Sequence, residues 1–216
     1  MMKPTIGKSI FYIAIALAYL AWLPFINMVN IMKWSINFYL DGTLSILFSV
    51  VHCLVFFYLV CILRLQEEKR SIVISFAVFV CFSAVTIPFS FTGFGNQGIT
   101  IAIGILALIM LLNMIIQSFR VTDETAGTGF KLLGITLALK IIAQMGLPFI
   151  WGYLADALSF KFAYLGYIPP VLEAAVLLSI IFIFYQLLNE QKEQHYKLIH
   201  ASLSETYTSE QLNAEK

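Results

Sequence analysis

The run GITIAIGILALIMLLNMIIQSF, residues 98–119, contains no Asp, Glu, Lys or Arg. A helix needs roughly 20 apolar residues to cross a hydrocarbon core of about 30 Å, and only helices and closed barrels satisfy every backbone N–H and C=O in lipid. The run is continuous, unlike the short alternating segments of a membrane barrel, and reads as one membrane-spanning helix. Five further runs of this kind lie on either side of it, at residues 9–30, 43–64, 71–91, 131–151 and 164–187. The expected fold class is all-α: a polytopic integral membrane protein with a six-transmembrane-helix bundle over residues 1–188 and a polar tail over 189–216.

Composition agrees. The 216 residues are 60% hydrophobic, 15% aromatic and 12% charged, with a mean hydropathy of +0.89. That is about half the charge a soluble domain carries. The first run lacks a signal peptide's short apolar core and small-residue cleavage site, so AYLAWLPF is expected to stay in the mature protein. Cys53, Cys61 and Cys81 fall singly within spans and form no CxxC, which fits small packing residues and not a metal or redox pair. The net charge of +1 gives no basic surface for nucleic acid.

Lys and Arg in short loops stay on the cytoplasmic side. Lys3, Lys8, Arg64, Lys69, Arg70, Arg120, Lys131, Lys192 and Lys197 gather at the N-terminus, the second and fourth loops and the tail, against Lys33 and Lys161 on the other face. Both termini are therefore expected to be cytoplasmic and the bundle to lie in the cell membrane. Trp22, Trp34, Tyr39, Trp151, Tyr153, Tyr164 and Tyr167 cluster toward the outer boundary, as interfacial aromatics do.

WLPFI (22–26), TIPFS (86–90) and GLPFI (146–150) recur in the odd-numbered spans. Pro24, Pro88 and Pro148 are read as helix-breaking residues near the outer ends, and the recurrence raises the idea of three similar hairpins. GFGNQG (93–98) matches a dinucleotide-binding pattern, but no strand precedes it and no acidic residue stands about twenty positions on, so it reads as a connection. In the tail, Leu198, Ile199 and Leu203 allow an amphipathic extension of the last helix over its first half, with the Ser-, Thr- and Glu-rich remainder expected to be disordered. His195 and His200 are expected to be solvated.

Within the spans stand His52, Asn113, Gln117, Lys140, Gln144 and Glu173. A charge at mid-bilayer costs about 3 kcal/mol or more, so such groups face the bundle interior and find partners. At 1.5 Å per residue, Lys140 lies about 13 Å from the basic end of its span, His52 about 18 Å, Gln144 about 20 Å and Glu173 about 21 Å. A lysine stem of about 6 Å makes the four level. Lys140 and Gln144 share a face with Thr136, and Pro148 deprives the Gln144 carbonyl of its helical donor. Ser45, Ser49 and His52 form a second polar stripe. Lys140, Gln144, Glu173 and His52 are therefore the candidate substrate- or ion-binding residues, weighed against a purely structural Lys140–Glu173 pair and against snorkelling of Lys140. Asn113 and Gln117 suit interhelical hydrogen bonds. Ala14, Ala18 and Ala21 form a small-residue stripe suited to scaffold packing or a homo-oligomer face.

No HExxH, GxSxG, P-loop or paired intramembrane histidine is present, so no cofactor, metal or catalytic residue is assigned and the chain is not expected to be an enzyme. The reading preferred is transporter- or channel-like handling of a small solute or ion. The alternative is a non-catalytic membrane subunit or sensor that signals to a cytoplasmic or membrane partner through its tail. An intramembrane lipid-modifying enzyme using His52 as base ranks third.

Overall fold

The computed structural model describes residues 5–31, 38–88, 97–157 and 168–214. Six helices follow one another: α1 (Ile6–Ile31), α2 (Phe38–Leu65), α3 (Arg70–Thr86), α4 (Gln97–Ser118), α5 (Gly127–Ala157) and α6 (Ile168–Ala214), with no strand among the described residues. Five contain a stretch long and apolar enough to cross a membrane; α3 is apolar but has only 17 residues. That is about 25 Å of helix. The architecture is that of a multi-pass helical membrane protein. Residues 89–91, the end of the expected third span, lie outside the described residues, as do Lys33, Trp34, residues 93–96, Lys161, Tyr164 and Tyr167 and the side chains of Tyr39, Trp151 and Tyr153.

Each helix packs on its neighbours in sequence, and α1 closes the ring against α6. α1 lies more against α6 than against α2, its partner in the hairpin scheme. Apolar faces buried from all sides supply the core: Ala16, Phe56, Leu59, Ile62, Phe76, Met114, Phe130, Leu133, Ile180 and Phe184 are sealed or nearly so. Outward-facing side chains such as Ile105, Ile109, Ile142 and Leu178 remain apolar, as lipid requires. Ala14, Ala18 and Ala21 are also exposed, so that stripe faces away from the ring while Ala16 packs inward.

Hydrogen bonds gather the basic loops at one end. Ser9 on α1 shares a hydrogen bond of 2.8 Å with the Tyr58 hydroxyl of α2 and donates to Gln191 Oε1 of α6 at 3.0 Å. Glu68, after α2, accepts from the backbone N–H groups of Thr122 and Asp123 at 2.7 and 2.8 Å. Gln66 Nε2 donates to Asp123 Oδ2, which also accepts from the Ala126 N–H in the turn before α5. α2 ends in a Schellman turn in which the Glu68 N–H reaches the Leu63 carbonyl and the Glu67 N–H the Arg64 carbonyl, with Glu67 at φ 52°. The loops carrying Lys69 and Arg120 thus meet the start of α5, which carries Lys131, at one end.

Two expectations are corrected. The helical backbone runs through Pro24 in α1 and Pro148 in α5, and only Pro88 coincides with a helix end. Neighbouring helices and local adjustment can satisfy the groups a proline frees within a membrane bundle. The tail, expected to lose structure in its second half, stays helical to Ala214. No Pro or Gly follows Pro170, Leu, Glu, Gln, Lys and Ala have high helix propensity, and Gln194 Nε2 bonds Glu190 Oε1 one turn back at 3.1 Å.

Candidate functional site

α5 and α6 bring Lys140 and Glu173 together. The Lys140 ammonium donates to Glu173 Oε2, and theirs is the ion pair found among the described residues. Their side chains keep 20% and 16% of full exposure, so neither is sealed in the core. Toward the basic end, the same interface carries a neutral contact: Thr136 Oγ1 and Ser179 Oγ lie 3.3 Å apart, each also bonded to a carbonyl of its own helix, Leu133 and Ala175. Both residues of that contact are buried.

His52 stands on α2. The imidazole leans on Phe56, with ring centroids 4.6 Å apart, and meets Phe79 at 6.5 Å. Its outer side opens on a cavity of about 250 Å³ lined by Tyr19, Phe48, Ser49, Cys53, Ser83 and Thr86. The Tyr19 and Phe48 rings, 5.4 Å apart, form its aromatic wall. Ser83 and Thr86 supply hydroxyls from α3, with the Thr86 hydroxyl also bonded to the Ser83 carbonyl at 2.9 Å. α1, α2 and α3 therefore place polar groups around this cavity.

Of the four candidates, Lys140 and Glu173 meet, His52 lines the cavity between α1, α2 and α3, and Gln144 joins neither. Gln144 is exposed on α5 and makes no side-chain hydrogen bond among the described residues. The reason is angular: four residues turn a helix by about 400°, so each step along a 136–140–144 stripe drifts by about 40°. Thr136 is buried, Lys140 partly so and Gln144 exposed, in that order. Asn113 makes an interhelical bond, donating from Nδ2 to Ser75 Oγ of α3 at 2.9 Å. Gln117 is buried, and its Oε1 has no hydrogen-bond partner. His195 and His200 are exposed, and no cluster of metal-ligating side chains occurs among the described residues.

Tyr19, Ser83, Thr86 and Ser179 were not legible as site residues. Ser83 and Thr86 are spaced i, i+3 in an apolar helix, and Tyr19 stands eleven residues from Lys8, or about 16 Å, level with His52. Those spacings were the available signal.

Chemically, the arrangement offers an ammonium, a carboxylate, an imidazole and several hydroxyls, with no nucleophile–base pair in bonded contact. No family model matches the chain, and neither do curated proteins or solved structures.

Proposed function

We propose that this chain is a small multi-pass transporter or channel-like protein of the cell membrane, with both termini cytoplasmic, that moves a small solute or ion linked to a proton. The supporting observation is the Lys140–Glu173 pair, left partly open within a ring of membrane helices that also holds a hydroxyl-lined cavity. An ionisable pair costs free energy in a membrane, and such groups mark ion and proton pathways. Glu173 takes and releases the proton or binds the cation, Lys140 is its counter-charge, and His52 couples the pair to the cavity. This reading involves no bond-making chemistry.

The test uses the full chain in liposomes with a trapped pH-sensitive dye and a potassium diffusion potential imposed by valinomycin. Wild type should pass protons well above empty liposomes, and Glu173→Gln should lower the excess rate about tenfold or more, the range of one lost proton-transfer group. Equal rates in the two proteins, or no excess in wild type, would overturn the reading.

A second reading has one specific observation in its favour. α6 is one unbroken helix of 47 residues that starts inside the bundle and ends in the polar tail, so a change in the bundle has a continuous route into that tail. A signalling subunit built this way would lose partner capture when residues 195–216 are deleted, whereas a self-sufficient transporter would keep its flux. Truncation at 195 spares Gln191 and its bond to Ser9.

A further inference from the structure

At the basic end, well away from Lys140 and Glu173 along α5, the structure holds a second and larger cavity. Its volume is about 710 Å³, and it lies between the loop before α3, the end of α4 and the start of α5. Lys69, Arg120 and Lys131 line it from three different segments. All three are exposed, and none enters an ion pair among the described residues. The first turn of α5, at Gly127 and Thr128, also faces it, adding the partial positive charge of a helix N-terminus.

Two acidic side chains, Asp123 and Glu124, share the lining. Asp123 Oδ2 is committed to Gln66 Nε2 and the Ala126 N–H. Glu68, close by, is buried and spent on Thr122 and Asp123. Hydrogen bonds from neutral donors leave these carboxylates charged, so the lining sets Lys69, Arg120 and Lys131 against Asp123 and Glu124, an excess of one positive charge. An anion is the ligand this balance favours.

Gln117 points to the kind of anion. It lines the cavity at 8% exposure, and its Oε1 is buried with no hydrogen-bond partner. A buried acceptor without a donor costs about 1–3 kcal/mol, so turning this sealed amide into the cavity to meet a ligand hydroxyl would be favoured. Phe119, 46% exposed, forms part of the same wall at the end of a lipid-facing helix. The opening therefore adjoins the bilayer surface, where basic pockets between membrane helices bind anionic headgroups.

We infer that this cavity binds the phosphate of an anionic, hydroxyl-bearing lipid headgroup from the leaflet at the basic end. Arg120, Lys69 and Lys131 hold the phosphate, the α5 N-terminus adds its dipole, and Gln117 accepts from the headgroup hydroxyl. Because Glu68 and Asp123 brace the two loops that form the cavity, an occupied site ties loops and helices together, and binding should raise the stability of the whole chain.

The test is thermal unfolding of the full chain in neutral maltoside micelles, titrated with dioleoylphosphatidylglycerol, dioleoylphosphatidylcholine or glycerol 3-phosphate. Phosphatidylglycerol should raise Tm saturably in wild type, with little response to phosphatidylcholine. Arg120→Gln and Lys131→Gln should each weaken the apparent affinity about fivefold, with Lys197→Gln in the tail unchanged. Lys131 is exposed, so its variant remains informative if Arg120→Gln folds poorly. Equal stabilisation by phosphatidylcholine, wild-type affinity in both cavity variants, or a full response to glycerol 3-phosphate alone would each overturn the lipid site.

Discussion

α5 and α6 meet twice, and the two meetings differ in kind. Near the basic end, Gly129 lets the helices approach until an added Cβ would lie 2.6 Å from Ile183 Cγ1, and Thr136 and Ser179 touch in a buried neutral contact. Farther along, the same helices hold Lys140 against Glu173 with both side chains partly open. The first region is built for packing: small residues, satisfied hydroxyls and core side chains all round. The second breaks that pattern by placing charge where an apolar pair would pack at lower cost. One interface thus separates a clamp from a candidate working site within a few turns.

That contrast can be broken from either side. Lys140→Ala leaves the Glu173 carboxylate without its partner and should destabilise the protein by about 3 kcal/mol, the lower range for a broken partly buried pair. The Lys140→Met/Glu173→Met double variant should regain most of that stability in an equilibrium unfolding assay while staying inactive. Gly129→Ala should cost about 1–3 kcal/mol, because the new methyl meets both Ile183 and Gln186 Oε1, the latter at 3.0 Å. Smaller still, Ser179→Ala removes one interhelical hydroxyl contact and should cost about 0.6 kcal/mol, typical of such bonds within membranes. If Ser179→Ala proved costlier than Lys140→Ala, the division of the interface would be misdrawn.

Much of the fold could be read from the chain because lipid leaves few choices. Uncharged runs such as residues 98–119 must be helices, and their ends fall within a few residues of α4. The Lys140–Glu173 partnership was legible for a related reason: depth follows from counting residues, and two charges at similar depth have little else to meet. Counting does not give azimuth, so Gln144 was placed with the pair although helical drift turns it outward. Tyr19, Ser83 and Thr86 escaped notice because hydroxyls are common in apolar helices and gain meaning only when the ring brings α1, α2 and α3 together. The proline reading failed as a helix end at Pro24 and Pro148, where the helical backbone continues, because a membrane bundle tolerates a missing N–H. The tail misled through composition: Ser, Thr and Glu suggested disorder, yet nothing in residues 189–214 breaks the helix that enters them.

Proton flux in proteoliposomes carrying Glu173→Gln or Ser179→Ala, measured side by side against wild type, puts the contrast to its most direct test. Glu173→Gln should lose about tenfold or more of the wild-type excess rate, while Ser179→Ala should keep its rate within about twofold of wild type, given the small energy of the contact it removes. Equal rates in the two variants would contradict the assignment of Lys140 and Glu173 as the working part of this interface.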